Sequence, residues 1–181
     1  MKFFKFHGHY DVSQLAAQLR KQPELWNAQV FRQQGVFYQT DDIWVRYRAL
    51  EELTSPQRFL EPHFATWYPA WRKLTALQPI IYDLMAKVRA THLGGILLTR
   101  IPAGGEVKPH DDRGGWHAEF YTTKVYVVIE NNADCVNYCG DDEVVMHPGE
   151  AWEFDNLVTH SVVNRGKTPR VSAIACMRAE P

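Results

Sequence analysis

Short apolar segments follow one another closely from residue 94 to the end of the chain, and turn-forming residues separate each segment from the next. Residues 96–101 run into Pro-Ala-Gly-Gly at 102–105, and residues 124–129 run into a pair of asparagines. Short apolar runs with such boundaries are typical of β-strands, and several of them at close spacing favour a sandwich or barrel. The pattern therefore predicts a β-rich core over about residues 94–178.

The segments after residue 130 have the same character. A Cys-Gly-Asp-Asp sequence at 139–142 joins two of them and is suited to a β-hairpin turn. His-Pro-Gly-Glu at 147–150 and a basic segment at 165–169 separate the others. The predicted strands are residues 134–138, 143–146, 151–154, 161–164 and 170–176.

The first half of the chain has a mainly helical pattern. Capping residues that begin at Asp11 precede apolar residues spaced along one helical face. Residues 67–88 carry apolar side chains at intervals of three and four, which predicts a packed helix that Pro79 can divide. Residues 30–38 and 43–47 are predicted to form short strands between these helices.

The 181 residues are predicted to form one domain, mainly β with flanking helices. A supporting region of helices and strands, over about residues 1–93, is expected to pack on the β core. The formal net charge of -1 gives no electrostatic reason to expect nucleic acid or an anionic membrane as partner. No apolar run reaches the roughly 18 residues that a membrane helix needs.

Three cysteines, an odd and sparse set, favour reduced thiols and a cytoplasmic location over a disulfide framework. Cys135 and Cys139 are close enough to suggest zinc, but a second pair of ligands is missing. The first nine residues do not have the pattern of a signal peptide. The sequence gives no indication of the oligomeric state.

His110 and Asp112 form a His-x-Asp pair between two glycine-containing turns. Side chains alternate along an extended chain, so the imidazole and the carboxylate point the same way. They can occupy neighbouring corners of a metal ion, and a second imidazole from a distant strand would close one face of an octahedron. The three remaining positions are what an Fe(II) oxygenase needs for a chelating keto acid and dioxygen.

His160 lies on a later predicted strand, and Arg170 follows it ten residues further on. The planar fork of arginine can make two parallel charged hydrogen bonds with the distal carboxylate of 2-oxoglutarate, and Ser172 on the same face can donate a third. A lone His-x-Asp occurs by chance in many proteins, whereas the full combination is specific. The predicted metal ligands are His110, Asp112 and His160, and the predicted co-substrate contacts are Arg170 and Ser172.

Residues 94–178 resemble the aspartyl/asparaginyl β-hydroxylase family of 2-oxoglutarate oxygenases, which also contains bacterial free-proline hydroxylases. The resemblance implies a double-stranded β-helix (cupin-like jelly roll), Fe(II), 2-oxoglutarate as co-substrate and dioxygen. The implied reaction hydroxylates an unactivated C–H bond, with an amino acid, free or in a peptide or protein, as the leading substrate. The matching stretches are Arg-Ile-Pro-Ala-Gly at 100–104, Lys-Pro-His-Asp-Asp at 108–112, the strand at 125–130, His-Pro-Gly-Glu-Ala-Trp-Glu-Phe-Asp at 147–155, and 160–172.

One segment departs from the family pattern. The family usually carries Arg-x-His before the strand at 125, where this chain has Thr122-Thr123-Lys124. Lys124 can supply a cation near the proximal carboxylate of the co-substrate, and it is the third predicted co-substrate contact. An aspartate at position 112, rather than glycine, resembles the members that act on free amino acids.

Two other functions fit the same residues. A metal-binding cupin enzyme that does not use 2-oxoglutarate would make Arg170 structural. A non-catalytic jelly-roll binding or sensor module would keep the pocket without turnover. The structural alternatives are a loop salt bridge between His110 and Asp112, a hydrogen-bonded core position for His160 and a solvated strand edge for Arg170.

The substrate and the position of hydroxylation cannot be read from the sequence. Specificity is assigned to the first half of the chain and to the loop at 113–121, where the resemblance is weakest. Within that loop, Trp116 is expected near the pocket and His117 is expected to be exposed.

Overall fold

The computed structural model describes residues 1–53 and 61–179. The strands among them form two antiparallel sheets. The strands are β1 (Phe4–His9), β2 (Asp41–Tyr47), β3 (Thr66–Trp67), β4 (Ala90–Ile101), β5 (Glu106–His110), β6 (Thr123–Glu130), β7 (Cys135–Cys139), β8 (Asp142–Val144), β9 (Glu150–Phe154), β10 (His160–Asn164) and β11 (Arg170–Ala179).

Helices connect these strands, mostly in the first half of the chain. The α-helices are α1 (Ser13–Arg20), α2 (Ala70–Lys73), α3 (Leu77–Lys87) and α4 (Trp116–Phe120). Short 3₁₀ helices lie at Pro23–Leu25, Gly35–Phe37 and Leu50–Glu52. Within the described residues, no helix combines the length and apolar character needed to cross a membrane.

The larger sheet has the strand order β1-β9-β6-β11-β4-β2-β3, and the smaller sheet has the order β5-β10-β7-β8. The predicted mainly β class with flanking helices is confirmed. The region before residue 94 does more than support the core, because β1, β2 and β3 are strands of the larger sheet.

Both faces of the larger sheet are covered, and its central strand β11 shows how. Val171, Ala173 and Ala175 pack in the main hydrophobic core with residues of α1 and α3. Arg170 and Ser172, which alternate with them, are buried on the opposite face. Because side chains alternate along a strand, successive residues of β11 face the helix-covered core and the inner cavity in turn.

The two longer helices are held to the sheet by apolar side chains on one face. Leu15 of α1 and Leu77, Ile81 and Leu84 of α3 are fully buried. Each such side chain contributes roughly 1.5–3 kcal/mol to folding through the apolar surface removed from water. This packing fixes the outer face of the sheet and leaves the inner face free to form a site.

The predicted helix over 67–88 is divided in the structure, but Pro79 does not divide it. The interruption follows α2, where Leu74 has a non-helical ψ of 59°. Pro79 instead lies in the first turn of α3. A proline is tolerated there because the first backbone N–H groups of a helix have no intrahelical acceptor.

The predicted strand over 30–38 is wrong. This segment forms turns and the 3₁₀ helix Gly35–Phe37, and Gly35 has a φ of 58° that no regular strand adopts. The predicted strand at 43–47 and the hairpin around 139–142 are confirmed as β2 and as the β7–β8 pair. β1, β3, β5 and α4 were not predicted from the sequence, and Trp67, predicted to begin the helix over 67–88, lies in β3.

Candidate metal centre

His110, Asp112 and His160 lie together between the two sheets. His110 ends β5 and His160 begins β10, and the two are directly paired across these antiparallel strands. Their ring centroids are 4.4 Å apart. One ligand atom from each of the three residues lies within 4.8 Å of the other two. The strand pairing thus brings two potential metal ligands that are fifty residues apart in sequence next to each other.

Both imidazoles are oriented by backbone carbonyl groups. The Nδ1 atom of His110 is 2.7 Å from the carbonyl oxygen of Lys108, and that of His160 is 2.9 Å from the carbonyl oxygen of Val158. A carbonyl can only accept, so each Nδ1 donates its proton and each Nε2 keeps a lone pair for a metal. Burial lowers the pKa of His160 to about 4, so this imidazole is neutral at neutral pH.

Asp112 is held by two polar side chains. Its Oδ2 atom accepts a hydrogen bond from the Lys124 ammonium group and another, at 3.1 Å, from Asn156 Nδ2. The backbone N–H of Asp112 donates to the carbonyl of Asn156 at 3.0 Å. Its Oδ1 atom faces His110 Nε2 at 4.0 Å. One carboxylate oxygen is therefore fixed by the protein, and the other points toward the imidazoles.

The charge of Asp112 is stabilised by the same contacts. Burial alone would raise the pKa of Asp112, but the charge and hydrogen bond of Lys124, supported by Asn156, hold it well below the usual range. Lys124 is itself partly buried; loss of solvation would lower its pKa, but the nearby Asp112 carboxylate raises it. The two groups therefore form an ionised pair inside the protein.

Arg170 lies at the start of β11 with only 1% of its surface exposed. Its Nη1 donates to Ser172 Oγ at 2.9 Å and its Nη2 to Asn137 Oδ1 at 3.0 Å, while its Nε has no partner. The guanidinium lies over the ring of Tyr126, 4.8 Å from the centroid. Within residues 1–53 and 61–179, no carboxylate forms an ion pair with this cation.

A single cavity of about 170 Å³ joins these groups. His110, Asp112, His160, Lys124 and Arg170 all line it. Ser172 does not line the cavity but supports Arg170 from the buried side. Apolar side chains from both sheets and from the 3₁₀ helix Gly35–Phe37 form much of the remaining wall: Phe37, Leu97, Ile101, Val107, Val162 and Ile174.

The loop at 113–121 differs from its prediction. His117 was expected to be exposed, but it lines the cavity from α4, and burial lowers its pKa to about 3. Trp116, expected near the pocket, does not line the cavity itself, but its ring contacts the cavity-lining His63 edge-on and stacks on Phe120 at 4.6 Å. His117 is the second residue of the short helix α4, which was not predicted from the sequence.

Two further polar residues at the site were missed by sequence analysis. Arg32 lines the cavity from the segment that was predicted to be a strand. Asn156 is 3% exposed and follows β9 in a turn. Neither belongs to a motif, and only the folded chain brings them to Asp112 and its neighbours.

Several solved structures of similar fold are prolyl hydroxylases. A prolyl-4-hydroxylase from Pseudomonas putida has 13% sequence identity and a TM-score of 0.58, over 98% of this chain and 93% of that one. The collagen prolyl hydroxylase of Paramecium bursaria Chlorella virus-1, in complex with 2-oxoglutarate, has 9% identity and a TM-score of 0.60, over 99% and 97%.

A third similar structure is the Trichoplax adhaerens prolyl hydroxylase bound to a peptide fragment of hypoxia inducible factor, with 12% identity, a TM-score of 0.60 and coverage of 97% and 83%. At these identities the similarity establishes the fold, and the predicted cupin-like double-stranded β-helix is confirmed. No curated protein matches the sequence significantly.

A sequence profile of aspartyl/asparaginyl β-hydroxylases matches residues 9–178, about twice the length over which the resemblance was apparent. The match confirms the predicted enzyme class, a 2-oxoglutarate-dependent dioxygenase, and its cofactors Fe(II), 2-oxoglutarate and dioxygen. The chain belongs to the aspartyl/asparaginyl β-hydroxylase family.

Proposed function

We propose that this enzyme hydroxylates an unactivated C–H bond of an amino acid, free or in a peptide or protein. In this proposal His110, Asp112 and His160 hold Fe(II), and Arg170 anchors 2-oxoglutarate. The proposal rests on one observation. Three potential ligand atoms lie within 4.8 Å of one another in a cavity that is also lined by Arg170, a buried arginine with no acidic partner among the described residues.

The donor set fits Fe(II). Two neutral imidazoles and one carboxylate are the ligands of the non-haem iron oxygenases, and they leave coordination positions open. The carbonyl contacts of His110 and His160 leave both Nε2 atoms available, and Asp112 presents Oδ1. Bound Fe(II) supplies the dioxygen chemistry, whereas the protein positions the reactants and excludes water.

Arg170 has the properties of a carboxylate anchor. A buried guanidinium without an acidic partner is unfavourable unless a ligand supplies the negative charge. Its contacts with Asn137 and Ser172 fix its orientation, and its Nε has no acceptor among the described residues. A planar carboxylate can accept two parallel hydrogen bonds from such a group.

Ser172 supports this role indirectly, since its hydroxyl oxygen accepts a hydrogen bond from Arg170. Lys124 contacts Asp112 and also lines the cavity. It can therefore position the carboxylate ligand and donate to the proximal carboxylate of 2-oxoglutarate. The apolar side chains around the cavity would keep bulk water from the reacting groups.

Three broader features belong to the same proposal. Residues 1–181 form one domain. In support of this, β1 and β2 from the first half of the chain share a sheet with β6 and β11 from the second half. The enzyme acts in the cytoplasm, a location that fits three buried, unpaired cysteines. Its partners are a small molecule or a peptide rather than nucleic acid, consistent with the net charge of -1.

The test is anaerobic addition of Fe(II) and 2-oxoglutarate, monitored by the weak visible charge-transfer band of the chelate. We expect the band in the wild type, a weaker band in Arg170→Ala, and none in His110→Ala. His92→Ala is the matched control, because His92 is an exposed histidine that does not line the cavity.

Bound iron without a band would overturn the use of 2-oxoglutarate and favour a cupin enzyme of another type. A band without succinate formation in air, with any substrate tried, would favour a non-catalytic module. Proline, free and within peptides, leads the substrate screen because the similar solved structures are prolyl hydroxylases.

A further inference from the structure

Arg32 places a positive charge in the cavity that the proposed function does not use. Its guanidinium carbon lies 4.3 Å from the ring centroid of Phe37, and that ring contacts the His110 ring edge-on at 5.2 Å. The Arg32 side chain is only 10% exposed and lines the cavity. A single aromatic ring therefore separates this cation from a candidate metal ligand.

Asp42 holds one side of the Arg32 guanidinium. Arg32 Nη1 donates to Asp42 Oδ2 at 2.6 Å, and the other carboxylate oxygen accepts from Thr99 Oγ1 at 2.8 Å. The Asp42 side chain is fully buried. Among the described residues, Asp42 is the only hydrogen-bond partner of the Arg32 guanidinium, so its remaining N–H donors are available to a ligand.

Positive charge exceeds negative charge around this cavity in the part of the chain that is described. Arg32, Lys124 and Arg170 line it, whereas the carboxylates are Asp112 on the lining and Asp42 next to Arg32. Fe(II) and the 2-oxoglutarate dianion carry equal and opposite charges, so loading both leaves the balance unchanged. The loaded site therefore attracts an anionic group.

The other cations already have assigned partners. Lys124 pairs with Asp112, and the proposed function assigns Arg170 to the co-substrate. Of the three cations on the described cavity lining, Arg32 is the one whose remaining N–H donors have no assigned ligand. Its planar fork suits a carboxylate, which can accept charged hydrogen bonds from it.

We propose that Arg32 binds a carboxylate of the substrate, either the α-carboxylate of a free amino acid or the side-chain carboxylate of an aspartate or glutamate residue. This inference rests on the proposed hydroxylase function and narrows its substrate class to carboxylate-bearing compounds. Because one ring separates Arg32 from His110, the carbons close to the bound carboxylate lie nearest the metal centre.

The probes are the free L-amino acids, their primary amides, and aspartate and glutamate blocked at both the amino and the α-carboxyl group. The measurements are the concentration dependence of succinate formation and, without dioxygen, the perturbation of the visible band by each probe. Activity with free amino acids but not with their amides identifies the α-carboxylate. Activity with a blocked acidic residue identifies the side chain.

Two substitutions separate ligand binding from a structural ion pair. Arg32→Gln is expected to weaken the affinity for the active carboxylate about 10- to 100-fold, the loss expected for charged hydrogen bonds. Asp42→Asn is expected to strengthen it several-fold, because Arg32 then loses its competing anion. If Arg32 and Asp42 formed only a structural ion pair, both substitutions would change the carboxylate affinity in the same direction.

Arg100→Gln is the matched control. Arg100 of β4 pairs with Asp41 of β2 at 2.7 Å, beside Thr99 and Asp42 on the same strands, yet Arg100 does not line this cavity. Its substitution should leave the carboxylate affinity unchanged. If Arg32→Gln does not fold, Arg32→Gln combined with Asp42→Asn removes both charges and still removes the proposed anchor.

The inference is overturned if acids and amides are equally active, if no carboxylate-bearing probe stimulates succinate formation, or if Arg32→Gln and Arg100→Gln behave alike. The visible band is measured first in the absence of any probe. Its absence would mean that the proposed function has failed, whereas a normal band without carboxylate dependence would refute the role of Arg32 alone.

Discussion

Replacing Arg170 with methionine distinguishes a ligand-binding arginine from a structural one. Arg170 donates to Ser172 and Asn137, and these hydrogen bonds from a charged group contribute about 1.5–3 kcal/mol each. Burying the guanidinium without an acidic partner destabilises the folded state by several kcal/mol, which is about as much as the two hydrogen bonds contribute. Burial lowers the pKa of Arg170, as expected when folding disfavours its charged form. We therefore expect the unliganded variant to remain within about 2 kcal/mol of wild-type stability.

The effect on co-substrate binding should be much larger. At a concentration of 100 times Kd, 2-oxoglutarate stabilises the wild type by about 2.7 kcal/mol. That corresponds to a rise in melting temperature of about 5–11 °C for a chain of this size. Loss of about 3 kcal/mol of charged hydrogen bonding weakens binding on the order of 100-fold. The same concentration then stabilises Arg170→Met by only about 0.4 kcal/mol, or less than about 2 °C.

The assay is thermal unfolding with and without 2-oxoglutarate, in the presence of Mn(II) as a redox-stable substitute for Fe(II). Arg46→Met is the control, because Arg46 is a partly buried arginine that donates to the carbonyl of Gly94 at 2.8 Å and does not line the cavity. It should keep the wild-type response. The reasoning is refuted if Arg170→Met loses more than about 3 kcal/mol of stability and yet keeps the full 2-oxoglutarate shift.

Two other substitutions test the metal centre and the core. Lys124→Met should lower metal affinity about 10- to 100-fold in a direct Mn(II) titration, because it removes a group that orients Asp112. Exposed Lys108, changed in the same way, should have no effect, and equal losses would contradict the assigned role. Ile81→Ala should reduce the free energy of unfolding in urea by about 2–5 kcal/mol, since Ile81 is fully buried under the sheet. Exposed Arg72→Ala should change it by less than about 0.5 kcal/mol, and a similar loss at both positions would show that α2 and α3 are not packed as described.

Much of the fold could be predicted from local pattern. Residues 124–129 and 170–176 read as strands because a strand covered on both faces shows a continuous apolar run with turns at its ends. The helix at 13–20 was evident from the spacing of its apolar face. The segment 30–38 was predicted wrongly, because its apolar residues are compatible with a strand and only the turn at Gly35 excludes one.

The candidate metal ligands were also predictable, because a metal requires particular donor types and the two-residue spacing of His110 and Asp112 is itself local. The tertiary structure decided how these donors are held. Pairing of β5 with β10 brings His160 against His110, and a turn after β9 brings Asn156 to Asp112. It also placed Arg32 at the cavity through packing on Phe37. No periodicity or motif encodes these contacts, whether they join distant residues such as His110 and His160 or near ones such as Arg32 and Phe37, because they depend on how the sheets and loops pack together.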